Sequence, residues 1–180
     1  TGTAAMILVE EGKISLDADI NSFIPFSIDN PYYPQSQVTV RHLLRHLSGI
    51  RDDYEVMDAY YTFRNGNGGD SDYELVKYCS DYLSKDGELY NGKRNFTGKE
   101  SGTAYEYSNT GYGVLGVMIE TVSGQTFSDF TYERIFKPLG MKDTTWFFSQ
   151  TDISRFAFPH SKDGKVYPPY SFPTYPDGSL

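Results

Sequence analysis

Apolar residues recur at helical spacing along most of the chain. Ala4, Ala5, Ile7 and Leu8 share one face of a helix that opens at Thr1 and stops at Gly12. Leu16, Ile20 and Ile24 repeat every fourth residue and predict a turn of helix over 17–23, which Pro25 ends. A Pro/Tyr-rich loop follows, running to Gln37. Thr39 reads as the N-cap of a helix carrying Val40, Leu43, Leu44 and Leu47, with Gly49 just past its end. The next stretch, to Gly69, is polar and reads as loop. Ser71 with Glu74 forms a capping-box pattern before a helix that buries Leu75, Tyr78, Cys79 and Tyr82. Residues 84–104 again read as loop. A short extended piece then leads into a helix over Asn109 to Val122, with Val114, Leu115, Met118, Ile119 and Val122 as its apolar stripe and Gly124 as its stop. Gly111, Gly113 and Gly116 each weaken that helix by roughly 1 kcal/mol against alanine, so close packing against a neighbour is expected to compensate. Thr126 caps a further helix bearing Phe127, Phe130 and Ile135, ended by Pro138 and Gly140. Pro159, Pro168, Pro169, Pro173 and Pro176 make the remainder irregular. The pattern is that of a mainly α chain with long loops.

Charge narrows the function classes. A net charge of −8 repels phosphate backbones and anionic headgroups, which argues against nucleic acid as a partner. No apolar run is long enough for a membrane span. Cys79 is the single cysteine, so the chain holds no internal disulfide and no Cys-based metal cage; its place on an apolar helix face predicts a buried, inert thiol. Opening directly onto a helix, at a residue other than methionine, the sequence reads as part of a longer one.

Several constellations resemble sites without making one. His42 and His46 have the i, i+4 spacing of a metal pair, but Leu43 stands where a zinc hydrolase carries glutamate, and His160 is the one remaining histidine. The expected roles are structural: His46 packed at the helix end and His42 solvated, with no metal and no cofactor. Asp52-Asp53, Glu10-Glu11 and Asp17/Asp19 are possible acid and base pairs, yet nothing brings a pair to one cleft. They read as solvated charges, with Asp17 as a first-turn helix acid. The Asn65-Gly-Asn-Gly-Gly run lacks the Gly-Lys-Ser/Thr ending of a phosphate loop. Asn95-Phe96-Thr97 is a formal glycosylation triplet of no weight by itself.

The most informative segment is Tyr105-Glu-Tyr-Ser-Asn-Thr-Gly-Tyr-Gly-Val-Leu-Gly116. Tyr107-Ser108-Asn109, at the mouth of an apolar helix, resembles the Tyr-x-Asn element of class C serine β-lactamases, DD-peptidases and related esterases. Three flanking segments resemble the same family in the same order: Leu8 to Asp17, the stretch from Val38 through Leu-Leu-Arg-His-Leu-Ser-Gly to Ile50, and Ile135-Phe-Lys-Pro-Leu-Gly-Met-Lys-Asp-Thr144. The likeness covers residues 1–145 best, and the Pro/Tyr-rich tail over 146–180 matches only vaguely. It implies one partial domain over 1–180, the helical lobe of an α+β fold with most of the antiparallel sheet missing.

The resemblance also implies acyl transfer on a small molecule or peptide carrying an acyl group: a β-lactam, a D-Ala-D-Ala peptide or an ester. Tyr107 then relays a proton, which a phenol of pKa near 10 does only where cations lower that value. Asn109 holds the family's lysine and the substrate amide in register, and Ser108 is a spacer facing elsewhere. No cofactor is implied, and a periplasmic or secreted location is the family expectation. No serine in this chain is followed by lysine at the third position, and Phe96-Thr97-Gly98 lacks the cation of the family's Lys/His-Thr/Ser-Gly element. The expectation is therefore a polypeptide that does not turn over substrate alone and self-associates through uncovered apolar surface. A non-catalytic binding or scaffold domain of the same fold is the other reading that the sequence leaves open.

Overall fold

The computed structural model describes residues 1–62 and 68–178. Asn65, Gly66 and Asn67 of the glycine-rich run lie outside the described residues. Six α-helices are described: α1 (Gly2–Glu10), α2 (Val40–Leu44), α3 (Tyr54–Tyr60), α4 (Leu75–Leu83), α5 (Asn109–Ser123) and α6 (Phe127–Thr131), the last running into a π-type turn, Tyr132–Phe136. Among the described residues there is no strand, only isolated bridges such as Asp19 with Thr39 and Ile50 with Phe96. The chain is thus mainly α.

Helix α5 is the centre of the packing. It contacts α1, α2, α4, α6 and the final 3-10 turn, Tyr175–Asp177. Val114, Leu115, Val117, Met118 and Ile119 are fully buried. Gly124 ends the helix in the left-handed conformation at φ 70°, and its amide bonds the Glu120 carbonyl. Two of the three glycines serve the expected close approach. A Cβ on Gly113 would stand 2.5 Å from Thr174 Cγ2, and one on Gly116 2.5 Å from Pro176 Cγ. Gly111 has only ordinary contacts, at 3.5 Å. The partner in this packing is the irregular tail, whose Phe172, Thr174 and Pro176 are buried.

Several sequence expectations need correction. The stretch read as polar loop contains α3, capped by the Asp53 carboxylate, which accepts the Glu55 amide, and pinned by the fully buried Met57. Helix α2 stops at Leu44 and does not reach Leu47, because His46 takes φ +56° and turns the chain. Ser71 is not a helix cap: its hydroxyl accepts the Tyr73 amide in a local turn, and α4 starts at the Glu74 N-cap with no side-chain bond. Asp17 is not a helix acid either. Its two oxygens accept Arg41 Nε and Nη2 at 2.6 and 2.9 Å, while Asp19 caps the Ile20–Ser22 turn. His42 is partly buried, not solvated: Thr39 Oγ1 accepts its amide and its Nδ1 faces the Thr39 amide, closing a capping box.

Candidate active site

The first turn of α5 places the Tyr-x-Asn residues. Ser108 is the N-cap, with extended backbone at φ −143° and a hydroxyl that accepts the Gly111 amide at 3.0 Å. This cap fixes the exit of Tyr107 and Asn109 from the helix end, and both side chains line one cleft of about 880 Å³. The tail lines the same cleft, with Trp146, Phe147, Tyr170, Phe172 and Asp177 among the lining residues. Tyr107 is 50% exposed, so the phenol is open to a ligand. Ser108 is buried and acts as a structural cap, which is more than the spacer role expected of it.

Asp52 was expected to be a solvated loop charge. It is 5% exposed and closes the helix end. Its Oδ1 accepts the Ser108 hydroxyl at 3.0 Å and the Thr110 amide at 3.1 Å, and its Oδ2 accepts the Asn109 amide at 2.7 Å. A carboxylate there is favoured by the positive end of the helix dipole. The chemical consequence is direct: these amides are already bonded, so the N-terminus of α5 offers no free donors to a developing oxyanion. Asp53, likewise buried, is held by Arg94 Nη2 at 2.7 Å. The sequence signal for both acids was weak, because their partners stand far along the chain.

The electrostatics around Tyr107 point one way. Burial, then the charges of Asp177 and Asp52, push its phenol above the ordinary value. Burial also drives the Asp177 carboxyl up to about 6, against a Thr174 hydroxyl bond at 2.6 Å that favours the charged form. A base role for Tyr107 needs the reverse, a nearby cation. Arg155 lines the same cleft but is paired with Asp143 at 2.6 Å. Among the described residues no group of three or more His, Cys, Asp or Glu side chains is placed to hold a metal ion. His46 packs at the end of α2 as expected, its ring stacked on Tyr112 at a centroid distance of 4.9 Å and tilted against Tyr107 at 4.5 Å. Cys79 is fully buried and its thiol is driven well above its ordinary range by burial, as its helix position implied.

Comparison with known proteins shows the family. The chain is similar to penicillin-binding protein 4 of Amycolatopsis lactamdurans, 30% identical over 144 residues that cover 78% of this chain and 32% of that protein. It is also similar to penicillin-binding protein 4* of Bacillus subtilis (strain 168), at 28% over 172 residues, 95% of this chain and 33% of the relative. The chain therefore spans about a third of the length of these curated relatives. Among solved structures, the octameric penicillin-binding protein homologue from Pyrococcus abyssi superposes with a TM-score of 0.63 at 28% identity, over 93% of this chain and 36% of that one. The D-amino acid amidase from Ochrobactrum anthropi SV3 complexed with D-phenylalanine gives 0.59 at 30%, over 93% and 48%. The family model described as Beta-lactamase matches residues 1–177, which takes the likeness through the tail and past residue 145. With that match running over residues 1–177, the chain belongs to the beta-lactamase family.

Proposed function

We propose that this chain is the Tyr-x-Asn-bearing helical part of a serine acyl hydrolase, whose antiparallel sheet and nucleophile stand in sequence beyond it. The observation that carries this reading is that Tyr107 and Asn109 project from one capped helix turn into one cleft. The substrate class is an acyl compound: a β-lactam, a D-Ala-D-Ala peptide, an ester or, by likeness to the amidase, an amino-acid amide. The reaction is attack of a serine hydroxyl on the carbonyl, with its proton taken up through a lysine and Tyr107 and passed to the leaving group, followed by water. Asn109 bonds the lysine and the substrate amide. Burial, with the carboxylates of Asp177 and Asp52 behind it, raises the Tyr107 phenol here, so the cation of the Ser-x-x-Lys lysine is what would bring it down to a working value. The described residues supply neither that lysine nor free oxyanion donors on α5, and the chain by itself is inactive in this reading.

Two arms test it. Sequencing the encoding DNA on both sides, then expressing the extended reading frame, should reveal Ser-x-x-Lys upstream and Lys/His-Thr/Ser-Gly downstream, and a polypeptide acylated by labelled penicillin or an active-site ester. Tyr107→Phe in that polypeptide should lower acylation by roughly 10²-fold or more, the scale of a positioned acid or base. The chain alone should leave a chromogenic cephalosporin and a nitrophenyl ester intact. Tyr107-dependent turnover by the chain alone, or undiminished acylation in the variant, overturns the proposal in favour of a non-catalytic binding domain.

A further inference from the structure

Two side chains from the segment after α2 grip the Tyr107-Ser108-Asn109 turn from opposite sides. On one side is His46, the only non-glycine with positive φ among the described residues, at +56°. That conformation costs an ordinary residue of order 1 kcal/mol and persists only where the surroundings impose it. Its contacts explain what it gains. The His46 carbonyl accepts the Glu106 amide at 2.9 Å, and Nδ1 accepts the Ser108 amide at 3.2 Å. Its ring lies against Tyr107 at 4.5 Å and Tyr112 at 4.9 Å, with Tyr105 edge-on at 5.9 Å. On the other side, the Asp52 carboxylate accepts the Ser108 hydroxyl and the Asn109 and Thr110 amides. Every backbone amide from 108 to 111 is thereby assigned to one acceptor, the last to Ser108 itself.

We propose that His46 and Asp52 are positioning residues for Tyr107 and Asn109, and that the grip depends on a neutral His46 imidazole. This rests on the acyl-transfer reading of the cleft. The chemistry is specific. A ring nitrogen accepts the Ser108 N–H only through a lone pair, which fixes the tautomer with the proton on Nε2. Protonation turns Nδ1 into a donor facing a donor, and the bond breaks. The charged and titratable groups facing the ring are Asp52, which favours the cation, and the phenols of Tyr112, stacked on it, Tyr107, tilted against it, and Tyr105, edge-on. Burial prevails over Asp52 and holds His46 below the ordinary 6.5, so the grip is intact at neutral pH and opens as the pH falls through that lowered midpoint.

The test is amide hydrogen exchange and tyrosine-ring NMR on this chain between pH 4.5 and 7.5, with global stability measured alongside. The Ser108 protection factor should fall roughly three- to tenfold, the scale of one hydrogen bond, along the His46 titration curve, and the Tyr107 ring signal should move with it. His46→Gln, which keeps an acceptor, should retain Ser108 protection and lose the pH step. His46→Phe, which keeps the stacking, should lose the protection at every pH. Asp52→Asn, which keeps one acceptor oxygen of the two, should expose one of the Asn109 and Thr110 amides and lower the His46 midpoint by removing the charge that favours the cation, whereas an unchanged midpoint and unchanged protection count against the role given to Asp52. In an acylating polypeptide that contains this chain, His46→Phe should lower kcat by roughly 10- to 100-fold while KM changes little, as misplacement of a reacting group does. Ser108 protection indifferent to the charge on His46 overturns the proposal, and the wild-type titration gives that answer even if a variant fails to fold. Loss of the acyl-transfer reading is recognised separately, by undiminished acylation in Tyr107→Phe while the Ser108 coupling stands.

Discussion

Gly111, Gly113 and Gly116 lie on one helix, yet the same substitution should have opposite signs among them. Alanine in a helix interior gains up to about 1 kcal/mol over glycine. At Gly111 the added methyl meets Leu43 Cδ2 and Ser108 Oγ at 3.5 Å, ordinary van der Waals contact, so Gly111→Ala keeps that gain. At Gly113 the methyl would lie 2.5 Å from Thr174 Cγ2 and 2.8 Å from its Cβ, and at Gly116 2.5 Å from Pro176 Cγ. Neither obstacle is the flexible end of a long side chain: one is a fully buried β-branched residue, the other a ring closed on the backbone. Overpacking of this kind costs about 1–3 kcal/mol, and the propensity gain offsets at most about 1. Gly113→Ala and Gly116→Ala should therefore each lose up to about 2 kcal/mol net, a fall of up to about 8 °C in Tm for a chain of this size. Gly111→Ala should rise by up to about 4 °C. The assay is urea and thermal unfolding followed by the fluorescence of Trp146, which is buried and sits among Phe127, Phe136 and Tyr175. If Gly113→Ala and Gly116→Ala match Gly111→Ala, the tail does not pack against α5 as described and the cleft loses the tail's lining.

Asp177, with its carboxyl at about 6 in the folded chain against an ordinary 3.8, binds a proton that the unfolded chain releases earlier. Stability should fall as pH rises from about 4 to about 6, by at most roughly 3 kcal/mol, and Asp177→Asn should flatten that slope in urea midpoints taken at pH 4.5 and 7. An equal slope in the variant would show that another group is responsible. Trp146 Nε1 donates to Thr131 Oγ1 at 2.7 Å in a buried site, so Thr131→Val should cost about 1–3 kcal/mol in the same unfolding assay by stranding the indole N–H. Cys79 should resist a thiol-specific disulfide reagent in the native state and react at the rate of unfolding, whereas immediate labelling would contradict its burial. Self-association through exposed apolar side chains such as Met6, Leu139 and Ile153 should appear as a mass that rises with concentration in light scattering, and a strict monomer at high concentration would remove it.

What the sequence revealed and what it hid divides by range of interaction. Helix α5 was legible because its stripe, its Gly124 stop and its Ser108-Asn109 entrance are all local, and Thr39 and Thr126 were recognisable caps for the same reason. Helix α3 was missed because its seven residues hold one fully buried side chain, Met57, and its cap, Asp53, looked like one half of a solvated acid pair. The end of α2 was misplaced because periodicity carries no term for a histidine paid into a left-handed turn by stacking on tyrosines many residues away. Of the candidate site, the sequence pattern singles out Tyr107 and Asn109 and packs His46 at the helix end, but it does not tell the buried Asp52 from a solvated acid.

That division follows from how the site is built. Chemistry-bearing residues must lie close in sequence when a single helix turn presents them, so a motif records them. Their supports need only be close in space. Asp52 meets Ser108 across a sequence separation of 56, and Thr174 fills the hollow left by Gly113 from the far end of the chain. A buried carboxylate bonded to three donors and a solvated one have the same letter in the sequence; only the converging amides of α5 tell them apart. The glycines came nearest to giving this away, since a helix that carries three of them near its start must have something pressed against it. What presses is the Pro/Tyr-rich tail, which the sequence pattern marks only as irregular. The same tail lines the cleft that Tyr107 and Asn109 face, so one irregular segment both puts Thr174 and Pro176 against Gly113 and Gly116 of α5 and brings Phe172 and Asp177 to the cleft.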